Sequence, residues 1–131
     1  MLGAGNQGIL VFCDALHMLF VENMTCVVKH NPVRAYNHAW MEKIFAPLID
    51  EGVFASVLGG IDESKALIAD PRVDHVHMTG GKATHDAIVW GSPKADGQRK
   101  DNMLGKPITS ELGTISPWVI GPGEWTDPEL K

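Results

Sequence analysis

The apolar positions along the chain fall into short blocks separated by glycine, proline and charge. Over residues 8–22, Ile9, Phe12, Cys13, Leu16, Leu19 and Phe20 recur at steps of three and four, the spacing of a buried helix. Residues 24–29 hold Cys26, Val27 and Val28 in a continuous run, as in a strand covered on both faces. Asn31 suits a helix N-cap and Pro32 its first turn, so a second helix is expected with Val33, Tyr36, Trp40, Ile44 and Leu48 as its apolar stripe. Pro47 should kink or end that helix. Residues 53–58 predict another strand, closed by Gly59 and Gly60. Asp62 and Glu63 then open a short helix, where acids favour the positive end of the dipole. Residues 73–78 predict a third strand, followed by Thr79, Gly80 and Gly81 and a helix to about Trp90. Residues 91–105 read as a polar surface loop, and 106–112 and 117–120 as final strands.

Strand and helix alternate throughout. That order predicts an α/β fold with an open, mainly parallel sheet, right-handed crossovers and helices on both faces. At 131 residues the chain makes one domain at most. A net charge of −5, with Arg99 and Lys100 the only adjacent basic pair, argues against a nucleic-acid partner. The apolar stretch over residues 8–21 is interrupted by Asp14 and His17 and is too short to span a bilayer, so no membrane partner is expected. The N-terminus lacks the basic region of a signal peptide, and Cys13 and Cys26 make no disulfide framework, which gives a cytoplasmic location as the expectation. Both thiols are expected to be inert core groups.

Gly3, Gly5 and Gly8 match the dinucleotide fingerprint, whose glycines allow a tight turn and close approach of a pyrophosphate to a helix N-terminus. Only two residues precede the match, and the next predicted strand ends in Lys29 and His30 instead of a ribose-binding acid. A plain glycine-rich turn is the competing reading. His75 and His77 alternate on one predicted strand and share a face, but no third ligand accompanies them, so no metal site is expected. Trp40, Trp90, Trp118 and Trp125 read as packing residues.

The run Glu111-Leu112-Gly113-Thr114-Ile115-Ser116-Pro117 resembles the Glu-Leu-Gly-Gly-x-Ser-Pro signature of the aldehyde dehydrogenase superfamily. The resemblance covers the whole chain in the family's order: Asn6, Lys29, Gly59 with Gly60, Thr79 with Gly80, then Glu111. It implies a Rossmann-like coenzyme-binding segment using NAD or NADP. Glu111 would be the general base that activates water, and Asn6 the amide donor to the thiohemiacetal oxyanion. Lys29 would hydrogen-bond the adenosine ribose, while Gly59, Gly60, Thr79, Gly80, Gly81 and Leu112 would line the coenzyme. Two departures stand out. Pro32 occupies the place where a glutamate often grips the ribose hydroxyls, which leaves the choice between NAD and NADP open. Gly81 replaces a serine that contacts the pyrophosphate.

The resemblance also implies an aldehyde substrate, oxidised to an acid through a cysteine, and a homo-oligomeric intact enzyme. No cysteine follows Cys26, so residues 1–131 are expected to be a partial NAD(P)-binding domain, with a loop insertion at about 91–105 and no activity alone. The alternatives are an independent nucleotide-binding module using Gly3, Gly5 and Gly8, and a non-catalytic remnant of the family. A complete strand upstream would favour the module, and a downstream sequence without cysteine the remnant.

Overall fold

A computed structural model describes residues 1–91, 102–113, 117 and 119–128. In chain order the elements are α1 (Leu10–Phe20), β1 (Cys26–Lys29), a 3-10 turn (Pro32–Arg34), α2 (Asn37–Ile44), α3 (Ala46–Asp50), β2 (Phe54–Val57), α4 (Ile61–Ala69), β3 (Val76–Gly80), α5 (Lys82–Trp90) and β4 (Ile108–Leu112). β1 pairs with β2 and β3 with β4, both in parallel. Leu2 bridges the two pairs, in parallel register with Lys29 on one side and Met78 on the other. The resulting order is β2, β1, Leu2, β3, β4. Chain connections run outward in both directions from Leu2, the switch point of a doubly wound sheet. The fold is the α/β arrangement that the alternation predicts.

The main core lies on one face. Val11, Ala15 and Met18 of α1 pack with Cys26 and Val28 of β1, Met41 of α2, Phe45 and Phe54. Phe45 stacks at 4.7 Å from Phe54 and 6.2 Å from Phe12, centroid to centroid. On β3, His77 and Thr79 turn toward Asp14 of α1. Val76 and Met78 therefore point the other way and are buried there. Right-handed crossovers place α4 and α5 on that second face.

Three expectations need correction. The single helix expected from Asn31 to Leu48 is broken into the 3-10 turn, α2 and α3. Asn31 does cap it, its side chain accepting from Val33 N at 3.1 Å. Pro47 sits in the first turn of α3 and Phe45 leaves helical geometry at φ −97° and ψ 11°. The predicted stripe of Val33, Tyr36, Trp40 and Ile44 faces outward, and Asn37, Met41 and Phe45 are buried instead. A 3-10 turn advances three residues per turn rather than 3.6, so a phase counted from Val33 does not survive into α2.

On α1 the core takes Val11, Ala15 and Met18, while Ile9, Leu16, Phe20 and Cys13 are exposed. Apart from Asp14 and His17 that helix is apolar, and its pattern could not choose a face. At the far end, Pro117, Val119 and Ile120 belong to no strand, and Trp118 lies outside the described residues. Residues 92–101 of the expected loop also lie outside them. Gly91 closes α5 in the left-handed region at φ 74°, and Asn102 accepts from Leu104 N to form a turn.

Candidate functional site

Parallel pairing brings every strand's C-terminal end to one edge. Lys29 stands opposite Val57, Leu2 opposite both Lys29 and Met78, Thr79 opposite Glu111, and Gly80 opposite Leu112. The edge therefore collects the loop of residues 3–8, Lys29, Gly59 with Gly60, Gly80 with Gly81, and Glu111 with Leu112. In doubly wound sheets ligands bind along this edge, beside the switch point.

Side chains from the following segment grip the 3–8 loop. Arg34 donates through Nε to Gly5 O at 3.1 Å and through Nη2 to Asn6 O at 2.6 Å, while Nη1 bonds the Tyr36 hydroxyl. Asn37 Nδ2 donates to Gly8 O at 3.0 Å. A Cβ on Gly5 would lie 2.8 Å from Asn31 Nδ2, and one on Gly3 2.9 Å from Val11 Cγ2. These glycines serve close packing of the loop against its own neighbours, as the plain-turn reading expects. Asn6 is exposed within it.

Lys29 is 6% exposed, and its ammonium makes no hydrogen bond or ion pair among the described residues. Burial lowers its ammonium pKa, against the opposing pull of Glu63. Glu63 is the third residue of α4, and its Oε2 accepts from Gly60 N at 2.6 Å, one half of a capping box that Gly60, without a side chain, cannot complete. Backbone N–H groups of Glu63 and Gly60 hold that carboxyl below its usual range. Gly59 admits no side chain, because a Cβ there would meet Glu63 Cβ at 2.5 Å.

Beside Lys29, His30 is 1% exposed. Its Nε2 and His38 Nδ1 each lie 2.8 Å from Ser56 Oγ, and His30 Nδ1 has no partner. Burial first, then the charges of His38 and Lys29, push its pKa down.

Gly81 caps α5 without a side-chain hydrogen bond, and a Cβ on it would meet nothing within 4 Å. In this nine-residue helix Thr84 N and His85 N bond Gly81 O at 3.1 and 3.2 Å, and no side chain caps the N–H groups before them. Thr79 does not offer a free hydroxyl, since its Oγ1 donates to Asp14 Oδ2 at 3.0 Å. Glu111 is exposed near the end of β4, one residue before the half-buried Leu112, and Gly113 follows at φ 68°.

The edge thus pairs an uncapped helix N-terminus with a buried, unpartnered lysine and a set of close glycine turns. The aldehyde dehydrogenase family model matches residues 6–124. The chain belongs to the aldehyde dehydrogenase family. No curated protein and no solved structure matches it.

Within this family member, Glu63 escaped the sequence reading. Its signal was an acid in the first turn of α4, which read only as helix-dipole chemistry. Cys13 lies exposed on α1, and burial raises the pKa of Cys26 at the opposite end of β1 from the edge. His75 Nε2 and His77 Nδ1 both lie 2.9 Å from Thr109 Oγ1. Among the described residues no group of three His, Cys, Asp or Glu could hold a metal, and no helix is long and apolar enough to cross a membrane. A cavity of about 480 Å³, lined by Met18, Thr25, Cys26, His75 and Val76 among others, opens at the N-terminal ends of the strands, away from this edge.

Proposed function

We propose that residues 1–131 are the NAD(P)-binding portion of an aldehyde-oxidising dehydrogenase whose catalytic cysteine lies outside this chain. The observation that carries the reading is the convergence of Lys29, Gly59, Gly60, Gly80, Gly81 and the open α5 N-terminus on one edge at the switch point. The residues suit a dinucleotide: the start of α5 would receive the pyrophosphate oxygens, and Lys29 would bond a ribose hydroxyl. When bound, the nicotinamide accepts hydride from the substrate carbon. Asn6, on a loop fixed by Arg34, would donate to the oxyanion formed when a thiolate adds to the aldehyde. Glu111, beside Gly113, would take the proton of the water that hydrolyses the thioester. Leu112 would line the coenzyme. Aldehyde and coenzyme are the partners, and the intact enzyme is a cytoplasmic homo-oligomer.

Calorimetric titration of the purified chain with NAD+ and NADP+ tests the reading. Saturable binding, weakened in Lys29→Ala by roughly 1–3 kcal/mol, is expected from loss of a charged donor. Binding indifferent to Lys29 would overturn the site. Neither cysteine is placed at the edge, so no aldehyde-dependent coenzyme reduction is expected. Turnover persisting after Cys13→Ala with Cys26→Ala would refute the need for an outside cysteine.

A further inference from the structure

We propose that His38, Ser56 and His30 form a hydrogen-bond relay, which turns protonation of His38 on α2 into a change of tautomer at the buried His30. The relay uses no residue assigned to coenzyme or catalysis, and it stands or falls apart from that reading. Parallel register brings its members together. Ser56 pairs with Val28, and His30, two residues further on, shares the Val28 face of the sheet. His30 N still bonds Val57 O at 3.0 Å, so the ladder holds the ring just beyond the last residue of β1. His38 reaches the same hydroxyl from the first turn of α2. Ser56 Oγ lies 2.8 Å from His30 Nε2 and 2.8 Å from His38 Nδ1, and the two rings meet edge-on at 70° with centroids 5.7 Å apart. On the other side of His38, Glu42 Oε1 lies 3.4 Å from Nε2, one helical turn along. The side chain of His38 is 22% exposed and His30 is 1% exposed, so solvent meets the first ring and hardly the second.

Counting hydrogens fixes how the relay works. The Ser56 hydroxyl has one hydrogen, so it donates to one ring and accepts from the other. Neutral His38 has one ring hydrogen, and the Glu42 carboxylate favours it on Nε2. Nδ1 is then an acceptor. Ser56 donates to it and accepts from His30 Nε2–H, which leaves His30 Nδ1 bare. Protonated His38 carries hydrogen on both nitrogens, and its Nδ1–H needs Ser56 Oγ as acceptor. The hydroxyl hydrogen then turns to His30 Nε2, since no other acceptor for it stands among the described residues. That nitrogen must be bare to accept, so His30 carries its hydrogen on Nδ1 instead. The three side chains together gain one proton from solvent, and the charge stays on His38 beside Glu42. The charged groups bearing on the pair are Glu42 of α2, at His38, and Lys29 of β1, at His30, while β2 brings none. Burial, with the charges of His38 and Lys29, resists a cation on His30 and keeps that ring neutral through the change.

Long-range proton–nitrogen NMR spectra of the 15N-labelled full chain test this, because they separate N–H from bare imidazole nitrogens. A series from about pH 8 to about pH 5 spans ordinary histidine titration. As His38 titrates, His30 Nε2 should pass from N–H to bare and Nδ1 from bare to N–H, with the His38 midpoint and no charge gained on His30. A His30 that keeps one tautomer while His38 titrates overturns the relay. So does a His30 that becomes doubly protonated at that midpoint, or the lack of any His38 titration across the series. Two variants locate the link. His38→Gln removes the titrating ring and should leave His30 in a single tautomer throughout, whereas a switch that persists there would trace to another group and reject the relay. Ser56→Ala removes the hydroxyl between the rings, and His38 should then titrate with no answering change at His30. Coupling that survives this variant overturns the role of Ser56. The wild-type spectra decide the matter even if Ser56→Ala does not fold.

Discussion

Lys29 and His30 end β1 with two basic groups whose alternating directions give them different tasks. Lys29 ends at the C-terminal edge of the sheet, while His30 turns inward to Ser56 with one ring nitrogen unsatisfied among the described residues. Burial lowers the pKa of His30 and also of His77, where it outweighs the attraction of Asp14 at 3.6 Å. Above the ordinary histidine value of about 6.5 both rings are neutral whether the chain is folded or not. Below it the unfolded chain binds protons that the folded rings refuse, so stability falls as pH drops toward the folded values. Urea unfolding at about pH 7.5 and about pH 5.5 should show the lower midpoint in acid, and His30→Gln should flatten the difference. An unaltered slope in that variant would remove His30 from the account.

At the same scale, Glu111 has no packing task on its exposed strand. In a form of the enzyme that carries the cysteine, Glu111→Gln should leave an initial burst of NADH and slow the steady state, since hydride transfer precedes hydrolysis. Unchanged steady-state turnover would reject Glu111 as base. Candidate residues such as Glu111 and Lys29 could be singled out because each is named by its neighbours in sequence. Arg34 could not, because its bonds go to a loop that only the fold brings beside it.

Elements were legible where their boundaries are chemical and illegible where a face had to be chosen. Asn31 caps as its residue type suggests, Pro47 interrupts the helix, and the acids of α4 occupy its first turn. The inward faces of α1 and α2 were hidden, the first by apolar residues all round and the second by the 3-10 turn before it. The C-terminal end of α4 shows a contact no local pattern carries. Lys106 Nζ donates to Ile68 O at 2.7 Å and to Asp70 O at 2.6 Å, satisfying carbonyls that a helix end leaves open. Lys106→Met keeps the length of the stem and removes both bonds. It should cost about 1–3 kcal/mol in denaturant unfolding. A loss within error of zero would mean that water replaces the ammonium without penalty.

On the scale of the whole molecule, the sheet is two parallel pairs held together through the backbone at Met1, Leu2 and Gly3. Leu2 N donates to His77 O at 2.8 Å and Leu2 O accepts from Thr79 N at 3.3 Å. On the other side Met1 O accepts from Lys29 N at 2.9 Å, and Gly3 N donates to Lys29 O at 3.0 Å. The alternation of elements foretold a parallel sheet, but a bridge of one residue has no periodicity and gave no strand signal. Its position matters for function, because Lys29 and Thr79 reach the same edge only while Leu2 joins β1 to β3. Leu2→Pro removes the N–H that bonds His77 and should loosen that junction at a cost of about 1–3 kcal/mol. Hydrogen exchange resolves the consequence by location. The amides of Lys29 and Thr79 should lose protection, while His30 N, bonded to Val57 O, and Val76 N, bonded to Pro107 O, should keep theirs. Coenzyme binding should weaken in the same variant, since the two halves of the edge would no longer share one frame. Uniform loss of protection across all four amides would instead show that the sheet unfolds as one cooperative unit, with no separable seam at Leu2.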